Sequence, residues 1–249
     1  MYSQKDRRLA LLRLGTESLN AVSIDTGIAR ATLRQWRDNG LEPRTGVAAC
    51  WVCEGLPPVS SPEYAALLGF YLGDGCLSVM RSVFALRVSC DRTYPGIIHD
   101  ICTVIAGVHP GSSTCLVRAP GVKVVTNTWK HWPCLFPQHG PGRKHERTLT
   151  LAAWQKSIVD EFPGDFLRGL FHSDGCRSKN WARREVAGVM KRYDYPRWQF
   201  VNNSDDIRRF CTDALDLVGV PWRRSSWKTI SVSTRAGVAR LDELIGPKS

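Results

Sequence analysis

The sequence predicts an α+β protein in which two similar halves, each with the element order α-β-β-α-β-β-α, follow a small all-α segment. Two stretches, LLGFYLGDGC at 67–76 and FLRGLFHSDGC at 166–176, resemble each other. Each is followed by the same succession of alternating, β-rich segments and apolar segments with helical spacing. The first forty residues, by contrast, show only helical spacing.

Composition and charge narrow the class of protein. The chain has 249 residues, of which 43% are apolar and 23% charged, so a globular fold with a sizeable core is expected. Its net charge of +11 favours nucleic acid as a partner. No apolar run approaches the roughly 18 residues of a membrane span. Nine scattered cysteines fit a reducing compartment, so we expect a cytoplasmic protein.

Residues 1–40 are predicted to form a helix-turn-helix domain. The motif needs a small residue at the helix crossing, a glycine with positive φ at the turn, and apolar anchors for the second helix. These parts are supplied by Ala21, Gly27, Ile28, Leu33 and Trp36. The second helix would then present Arg30, Thr32, Arg34 and Arg37 to DNA bases and phosphates. The alternative is an ordinary helical hairpin.

Residues 41–61, rich in proline, glycine and serine, are predicted to be a linker. Cys50 and Cys53 within it have a spacing that suits two thiolates on one tetrahedral zinc ion. His131 and Cys134 are the candidate partner pair. The alternative is a set of thiols that bind no metal and pack in a turn.

The first repeat is assigned to residues 62–162. The first aspartate-bearing helix is followed by a hairpin at 77–90, a helix at 94–108, further strands between 114 and 132, and a helix at 151–162. The second repeat, 163–249, has the same order. Its second aspartate-bearing helix precedes a long β-ribbon ending near 204, a helix at 205–220, strands within 222–234, and a helix at 237–246.

Small residues recur at the same places in the two aspartate-bearing helices. Gly69 and Gly73 lie four residues apart, and Gly169 and Ser173 take the same places in the second copy. Small residues at this spacing let two helix backbones approach closely, so we expect the two helices to pack against each other. The glycines that follow, at 75 and 175, are expected to leave each helix in a left-handed conformation.

This packing would bring Asp74 and Asp174 together at the helix ends. Two neighbouring carboxylates repel each other, and each opposes its own helix dipole, which costs about 0.3–1 kcal/mol when exposed. Divalent cations shared between them would offset both costs. The aspartates therefore predict a metal site.

The two stretches resemble the LAGLIDADG motif of homing endonucleases, with residues 67–75 and 167–175 standing for its nine letters. Leu72 and His172 occupy the place of the motif's first aspartate, a position at which variation is tolerated. The resemblance spans residues 62–249. It implies a monomer with an internal pseudo-twofold axis, in which a saddle of two antiparallel sheets enters the major groove of double-stranded DNA.

The resemblance also implies a set of site residues. Asp74 and Asp174 would bind Mg²⁺ or another divalent cation and position the water that attacks a phosphodiester, with the carbonyls of Gly73 and Ser173 as further ligands. Members of the family place a basic residue on a strand near the metal. Lys130 and Lys228, each preceded by tryptophan, lie at similar distances after the two aspartates and are our candidates. Surface lysines beside buried tryptophans are the alternative.

Basic residues on the predicted strands are the candidates for DNA contact, against the alternative of a solvated basic loop. They are Arg81, Arg87, Arg183, Arg184, Lys191, Arg192 and Arg197. Another basic segment, 140–147, lies between the halves. Arg168, on the second aspartate-bearing helix, is expected to point outward.

The leading hypothesis is a site-specific double-strand DNA endonuclease with an accessory helix-turn-helix. The rival is a transcriptional regulator that keeps this fold and the helix-turn-helix but does not cut DNA. Retention of both aspartates favours the nuclease. The initial Met and the lack of a terminal His-Asn argue against a self-splicing intein. RNA maturase activity stays open, because a basic saddle can also bind structured RNA.

Overall fold

The computed structural model of the chain describes residues 4–39, 50–55 and 61–248. They belong to two compact units, 1–47 and 48–249. Most of the predicted linker, namely residues 41–49 and 56–60, lies outside the described residues.

The described residues of the first unit, 4–39, form three helices: α1 (Gln4–Leu14), α2 (Leu19–Thr26) and α3 (Arg30–Asn39). The Ser18 hydroxyl caps α2 by accepting a hydrogen bond from the Ala21 amide at 3.2 Å. Gly27 ends α2 with φ of 68°, as the sequence predicts for the turn. A small core then forms from Ala10, Val22, Ile28, Leu33 and Trp36.

One assignment in this unit is corrected. Ala21, predicted to lie at the helix crossing, is exposed, whereas its neighbour Val22 is fully buried. Adjacent helical positions lie about 100° apart around the axis, so a shift of one residue moves the side chain out of the contact.

The second unit contains both repeats in the predicted order. The first comprises α5 (Ser61–Leu72), β1 (Gly75–Val79), β2 (Phe84–Asp91), α6 (Pro95–Val108), β3 (Cys115–Ala119), β4 (Val122–Trp129) and α8 (Ala153–Glu161). The second comprises α9 (Pro163–Asp174), β5 (Gly175–Val186), β6 (Val189–Val201), α10 (Asp205–Leu217), β7 (Arg223–Ser226), β8 (Thr229–Val232) and α11 (Arg235–Ile245). Short helices α4 (Trp51–Glu54) and α7 (Trp132–Leu135) and a 3₁₀ turn (Lys144–Glu146) were not predicted.

The two sheets have the same topology. Their strand orders are β1-β2-β4-β3 and β5-β6-β8-β7, and all pairs are antiparallel. On β2, Leu86 and Val88 are buried while Arg87 and Ser89 are exposed, so one face of the sheet meets the helices and the other faces solvent. The predicted α+β class with two antiparallel sheets is confirmed.

Helices α5 and α9 pack against each other through their small residues, as predicted. A Cβ added at Gly69 would lie 2.4 Å from the Phe166 carbonyl oxygen, and one at Gly169 would lie 2.1 Å from the Ala66 carbonyl oxygen. Such distances are far inside van der Waals contact. At the C-terminal end, a Cβ at Gly73 would lie 2.4 Å from the Ser173 Cβ. The backbones touch along the whole crossing.

The prediction of left-handed glycines after the two aspartates is wrong. Gly175 has φ of −90° and ψ of 150°, which is extended backbone, and Gly75 also lacks a positive φ. Glycine is needed there for space. A Cβ at Gly75 would lie 2.5 Å from the Tyr71 Cα, and one at Gly175 would lie 2.3 Å from the Phe171 carbonyl oxygen. The chain turns back tightly over the last helical turn.

Arg168 does not point outward as expected. Its guanidinium forms an ion pair with Asp100 on α6 and another with Asp165 at 3.0 Å, and its side chain is 22% exposed. Because α6 belongs to the first repeat and α9 to the second, this partly buried pair links the repeats.

Strands β5 and β6 extend well beyond the rest of their sheet. Their pairing begins with Gly175 opposite Phe200 and continues to Val186 opposite Val189. Strand β8, by contrast, pairs only with residues 198–201 of β6. The turn at their tip, Ala187–Gly188, has positive φ at both residues, the conformation of a type I′ hairpin. Residues 178–197 therefore form a projecting two-stranded segment, which we call the ribbon.

Among residues 4–39, 50–55 and 61–248, every helix is too short or too polar to traverse a lipid bilayer.

Gly169→Ala should lower the free energy of unfolding by about 3 kcal/mol, because its methyl group would overlap the Ala66 carbonyl and force the helices apart. Urea denaturation measures the change. The control is Gly164→Ala on the same helix, whose Cβ would meet only the mobile tip of Leu244 at 3.2 Å. A change within about 1 kcal/mol is expected for the control. Equal effects for both variants would contradict the close-contact argument.

Candidate metal centre at the paired helix ends

The two aspartates stand at equivalent ends of α5 and α9. Asp74 lies between α5 and β1, and Asp174 is the last residue of α9, directly before β5. The Asp174 Oδ2 lies 3.4 Å from the place that a Cβ of Gly73 would take. The second carboxylate thus lies against the end of the first helix, so the structure brings the predicted pair together.

The surroundings raise the pKa of both carboxyl groups. Burial, and then the charge of Asp74, raise the pKa of Asp174 to about 6, although a hydrogen bond donated by Asn202 Nδ2 at 2.7 Å opposes the shift. Burial also raises the pKa of Asp74, whose side chain still reaches solvent. Added positive charge at this point would stabilise both carboxylates.

Lys144 supplies part of that charge. Its Nζ donates hydrogen bonds to the carbonyl oxygens of Leu72, Gly73 and Gly75 at 2.7, 2.8 and 2.9 Å. The carbonyls of Leu72 and Gly73 lie at the negative end of the α5 dipole, and that of Gly75 lies at the start of β1. Burial lowers the pKa of Lys144 to about 8, while the charges of Asp174 and Asp74 act in the opposite direction.

Lys248 has the same place at the end of α9. Its Nζ donates to the carbonyl oxygens of Ser173 at 3.2 Å and Gly175 at 2.7 Å. Burial lowers its pKa, and the charge of Asp74 opposes the shift. Each motif therefore ends in one carboxylate and one ammonium group.

These two lysines were not found from the sequence. The sequence marks Lys144 only as part of a basic segment, and Lys248 lies three residues after the end of α11. Spacing does not single them out, because Lys144 follows Gly73 by 71 residues and Lys248 follows Ser173 by 75, a match no closer than the one that selected Lys130 and Lys228. Asn202, the hydrogen-bond partner of Asp174, was missed as well.

The donor atoms at the paired helix ends suit a hard divalent cation. Carboxylate and carbonyl oxygens are the ligands that Mg²⁺ prefers in proteins. The carbonyls of Gly73 and Ser173 already accept hydrogen bonds from ammonium groups, so they are aimed at positive charge. Asp74, Asp174, Gly73 and Ser173 together fit such an ion.

A cleft lies beside each helix end. One of about 550 Å³ is lined by Asp174, Lys144, His139, Asn202 and Lys228 among others. Another of about 510 Å³ is lined by Tyr94, Arg177, Asp242 and Lys248 with neighbouring residues. Both expose the start of the strand that follows the motif.

The two predicted catalytic lysines do not take equivalent positions. Lys228 lies in the β7–β8 turn and lines the first cleft, and its carbonyl accepts a hydrogen bond from the Asn202 amide at 3.1 Å. Lys130 follows the end of β4 and is exposed, away from the lining of either described cleft. Strand β8 takes the place in its sheet that β4 takes in the other. Lys228 precedes β8, whereas Lys130 follows β4, so the two lysines are not equivalent.

The predicted DNA-contacting residues of the second unit lie on strands or turns. Arg81 lies in the β1–β2 turn and Arg87 on β2, whereas the other five lie on the ribbon. All are exposed except Arg197, which is partly buried and donates to Gln199 at 2.9 Å.

The ribbon carries its positive charges in cross-strand pairs. Arg184 is opposite Lys191, and both lie with Arg197 on the face of the sheet that points away from the helices. Arg183 is opposite Arg192 on the other face, and both guanidinium groups lie over the exposed ring of Trp181, at 5.5 and 5.2 Å. Like charges directly opposite each other are destabilising in a sheet. Asp194 offsets part of the charge of Arg192 through an ion pair at 2.8 Å, and an anionic partner would relieve the repulsion between Arg184 and Lys191.

In the first unit, α3 carries the predicted contact residues. Arg30, Arg34 and Arg37 are exposed, and Thr32 is partly buried. Arg37 donates to Asp38 at 3.1 Å.

The predicted zinc ligands Cys50, Cys53, His131 and Cys134 converge. Their ligand atoms all lie within 4.8 Å of one another. Burial and the hydrogen bond with Cys53 raise the pKa of the Cys134 thiol to about 12, and burial lowers the pKa of His131.

Asp174→Asn should change how stability depends on pH. The folded protein holds the Asp174 proton up to about pH 6, whereas the ordinary pKa is 3.8. Between these values the folded state binds more protons, so the stabilisation is present at low pH and is lost as the pH rises through 6. The stability of the variant relative to the parent should therefore grow by on the order of 2–3 kcal/mol between pH 4 and 7.

Denaturant unfolding at each pH measures this difference. Asp213→Asn, which changes an exposed carboxylate on α10, is the control and should keep a constant offset from the parent. A constant offset for Asp174→Asn as well would show that Asp174 does not hold its proton in this range.

Known proteins similar to this chain are found among solved structures. No protein-family model and no curated protein matches the chain. Solved structures do. Variants of the homing endonuclease I-DmoI are 14% identical, with 74% of this chain and 89% of theirs covered and a TM-score of 0.49.

Two further structures show the range of matches. The LAGLIDADG meganuclease I-AabMI is 12% identical, with 74% and 82% covered and a TM-score of 0.45. The N-terminal LAGLIDADG domain of DUF199/WhiA is 11% identical, with 78% and 85% covered and a TM-score of 0.45. By name, these three solved structures to which the chain is similar are a homing endonuclease, a LAGLIDADG meganuclease and a LAGLIDADG domain.

Proposed function

We propose that this chain is a site-specific double-strand DNA endonuclease that hydrolyses phosphodiester bonds with a divalent cation held by one aspartate from each repeat. The observation that carries the proposal is the meeting of Asp74 and Asp174 at the paired ends of α5 and α9. Two ammonium groups, those of Lys144 and Lys248, flank this pair.

The open faces of the two sheets are the proposed DNA surface. A net charge of +11 draws the polyanion to the protein. On the ribbon, Arg184, Lys191 and Arg197 share the face that points away from the helices. Arg177, on the opposite face, is held by Asp242 of α11 at 2.8–2.9 Å, which identifies that face as the one toward the helices. The ribbon would lie along the backbone phosphates and reach base edges in the major groove.

Each residue at the helix ends has a distinct task in this proposal. Asp74 and Asp174 would hold the cation and orient the water that attacks phosphorus, and the carbonyls of Gly73 and Ser173 would be further oxygen ligands. When bound, the cation lowers the pKa of water and compensates charge on the attacking and leaving oxygens. Lys144 and Lys248 add fixed positive charge for the phosphate as negative charge develops on it. Asn202 fixes the orientation of the Asp174 carboxylate through its hydrogen bond.

We assign the first unit a supporting role. Helix α3 exposes three arginines and follows a tight turn after α2, an arrangement suited to a recognition helix in a major groove. As a helix-turn-helix it would lengthen the recognised site. Since both aspartates come from one chain, a monomer suffices for cutting both strands.

A second candidate function has one observation in its favour. The ammonium groups of Lys144 and Lys248 already bind the carbonyls of Gly73 and Ser173 that would ligate a metal. Internal cations of this kind could stabilise the helix ends without any metal. The chain would then be a DNA-binding transcriptional regulator that keeps the fold and does not cut.

Mg²⁺-dependent cleavage is expected at a defined site, and Asp74→Asn and Asp174→Asn should each reduce its rate by on the order of 10²–10³-fold, because each removes a ligand charge. DNA affinity should stay within a few-fold of the parent. Fragments of the source genome are incubated with protein, with or without Mg²⁺, and the new ends are sequenced.

The control for this experiment is Asp213→Asn, which removes an exposed carboxylate on α10. This variant should cut DNA as the parent does. If the parent retains a specific DNA fragment but generates no new ends, the regulator function replaces the nuclease.

Arg184→Gln should weaken DNA binding by a similar factor for all sequences, since the residue is placed to meet phosphate. The slope of log affinity against log salt concentration should fall by about 1. Fluorescence anisotropy over a salt series measures both quantities. Lys191→Gln, on the opposite strand, should behave in the same way.

Arg240→Gln is the matched control, because this exposed arginine lies on α11 and pairs with Glu243 at 3.3 Å. It should leave the salt slope unchanged. An equal loss for Arg240→Gln would mean that general charge, rather than the ribbon, determines affinity.

A further inference from the structure

Four potential ligand atoms converge between the start of the second unit and the end of β4. Cys53 Sγ lies 3.3 Å from His131 Nδ1 and 3.3 Å from Cys134 Sγ. Cys134 Sγ lies 3.8 Å from His131 Nδ1, and Cys50 completes a group whose ligand atoms are all within 4.8 Å of one another. Ligand atoms about 2.0–2.3 Å from a common zinc ion would have separations of this size.

The two ligand pairs sit on matching pieces of backbone. Cys50 is the N-cap and Cys53 the third residue of α4, while His131 is the N-cap and Cys134 the third residue of α7. An N-cap side chain usually accepts a hydrogen bond from the helix. Neither Cys50 nor His131 has that cap hydrogen bond. Both side chains instead turn toward the opposite pair.

We propose that Cys50, Cys53, His131 and Cys134 bind one structural zinc ion. Three thiolates and one imidazole form a tetrahedral donor set that suits Zn²⁺ and is too soft for Mg²⁺ or Ca²⁺. Four protein ligands leave no position for water, so the ion has no catalytic task. This site is independent of the proposed nuclease function.

The zinc ion would anchor the segment that leads into α5. Cys53 lies 78 residues from His131 and 81 from Cys134, so the ion closes a long loop. Beside it, the Trp51 ring contacts Tyr64 of α5 at 5.8 Å and Trp154 of α8 at 4.9 Å. The Tyr64 hydroxyl in turn donates to the Leu135 carbonyl of α7. The zinc ion, α7 and the first turn of α5 would thus form one connected structure.

The test uses the full chain, purified under reducing conditions without a chelator. Elemental analysis should find about one zinc ion per chain. After the metal is stripped, Zn²⁺ alone should restore the bound ion, and Co²⁺ alone should give the absorption bands of a tetrahedral thiolate site. Cys53→Ser and Cys134→Ser should each lower zinc affinity by at least about tenfold. Cys115→Ser, which alters an exposed cysteine on β3, is the control and should bind zinc as the parent does.

A stability measurement covers the case in which a variant fails to fold. Removing the ion from the parent should lower its thermal midpoint by on the order of 5–10 °C, and adding Zn²⁺ should reverse the loss. Three results would overturn the proposal: a parent that takes up no zinc, a Cys53–Cys134 disulfide under reductant, or zinc that persists in Cys53→Ser and is lost in Asp74→Asn. The last would place the zinc at the aspartate pair.

Discussion

The close backbone contact between α5 and α9 is the constraint on which the rest of the structure depends. Gly69 and Gly169 leave no room for a side chain between the helices. Because the helices touch along their length, their C-terminal ends meet, and each end carries an aspartate followed directly by the first strand of a sheet. The separation of the carboxylates and the placement of the two sheets are therefore set by the same contact.

Charge compensation is the second organising feature. Two carboxylates, of which Asp174 is partly buried and Asp74 reaches solvent, lie close to two partly buried ammonium groups, and the helix dipoles add negative potential. Lys144 and Lys248 compensate the charge of the carboxylates and the negative potential of the helix ends, since each binds helix-end carbonyls and lies near the carboxylates. Such a cluster can take up a further cation or lose a proton at low cost, a property expected of a reactive centre.

The sequence was sufficient for the repeat, the order of helices and strands along each half and the meeting of Asp74 and Asp174, because these follow from local periodicity and from small residues at fixed spacing. The order of the strands within each sheet came from the structure alone. The sequence was insufficient where position depends on distant backbone. Lys144 and Lys248 reach the helix ends from about 70 residues away, and no local pattern marks them. Likewise, Gly75 and Gly175 are required by close approach of the chain to Tyr71 and Phe171 rather than by their own dihedral angles.

The unequal strand lengths of the two halves break the internal symmetry. The first hairpin begins with a strand of five residues, whereas β5 has twelve, or about 17 Å against 40 Å. In the proposed complex, a DNA duplex would meet a short hairpin on one side and a long hairpin on the other. The two ends of the bound segment would then contact the protein differently, so the proposed target site need not be a palindrome.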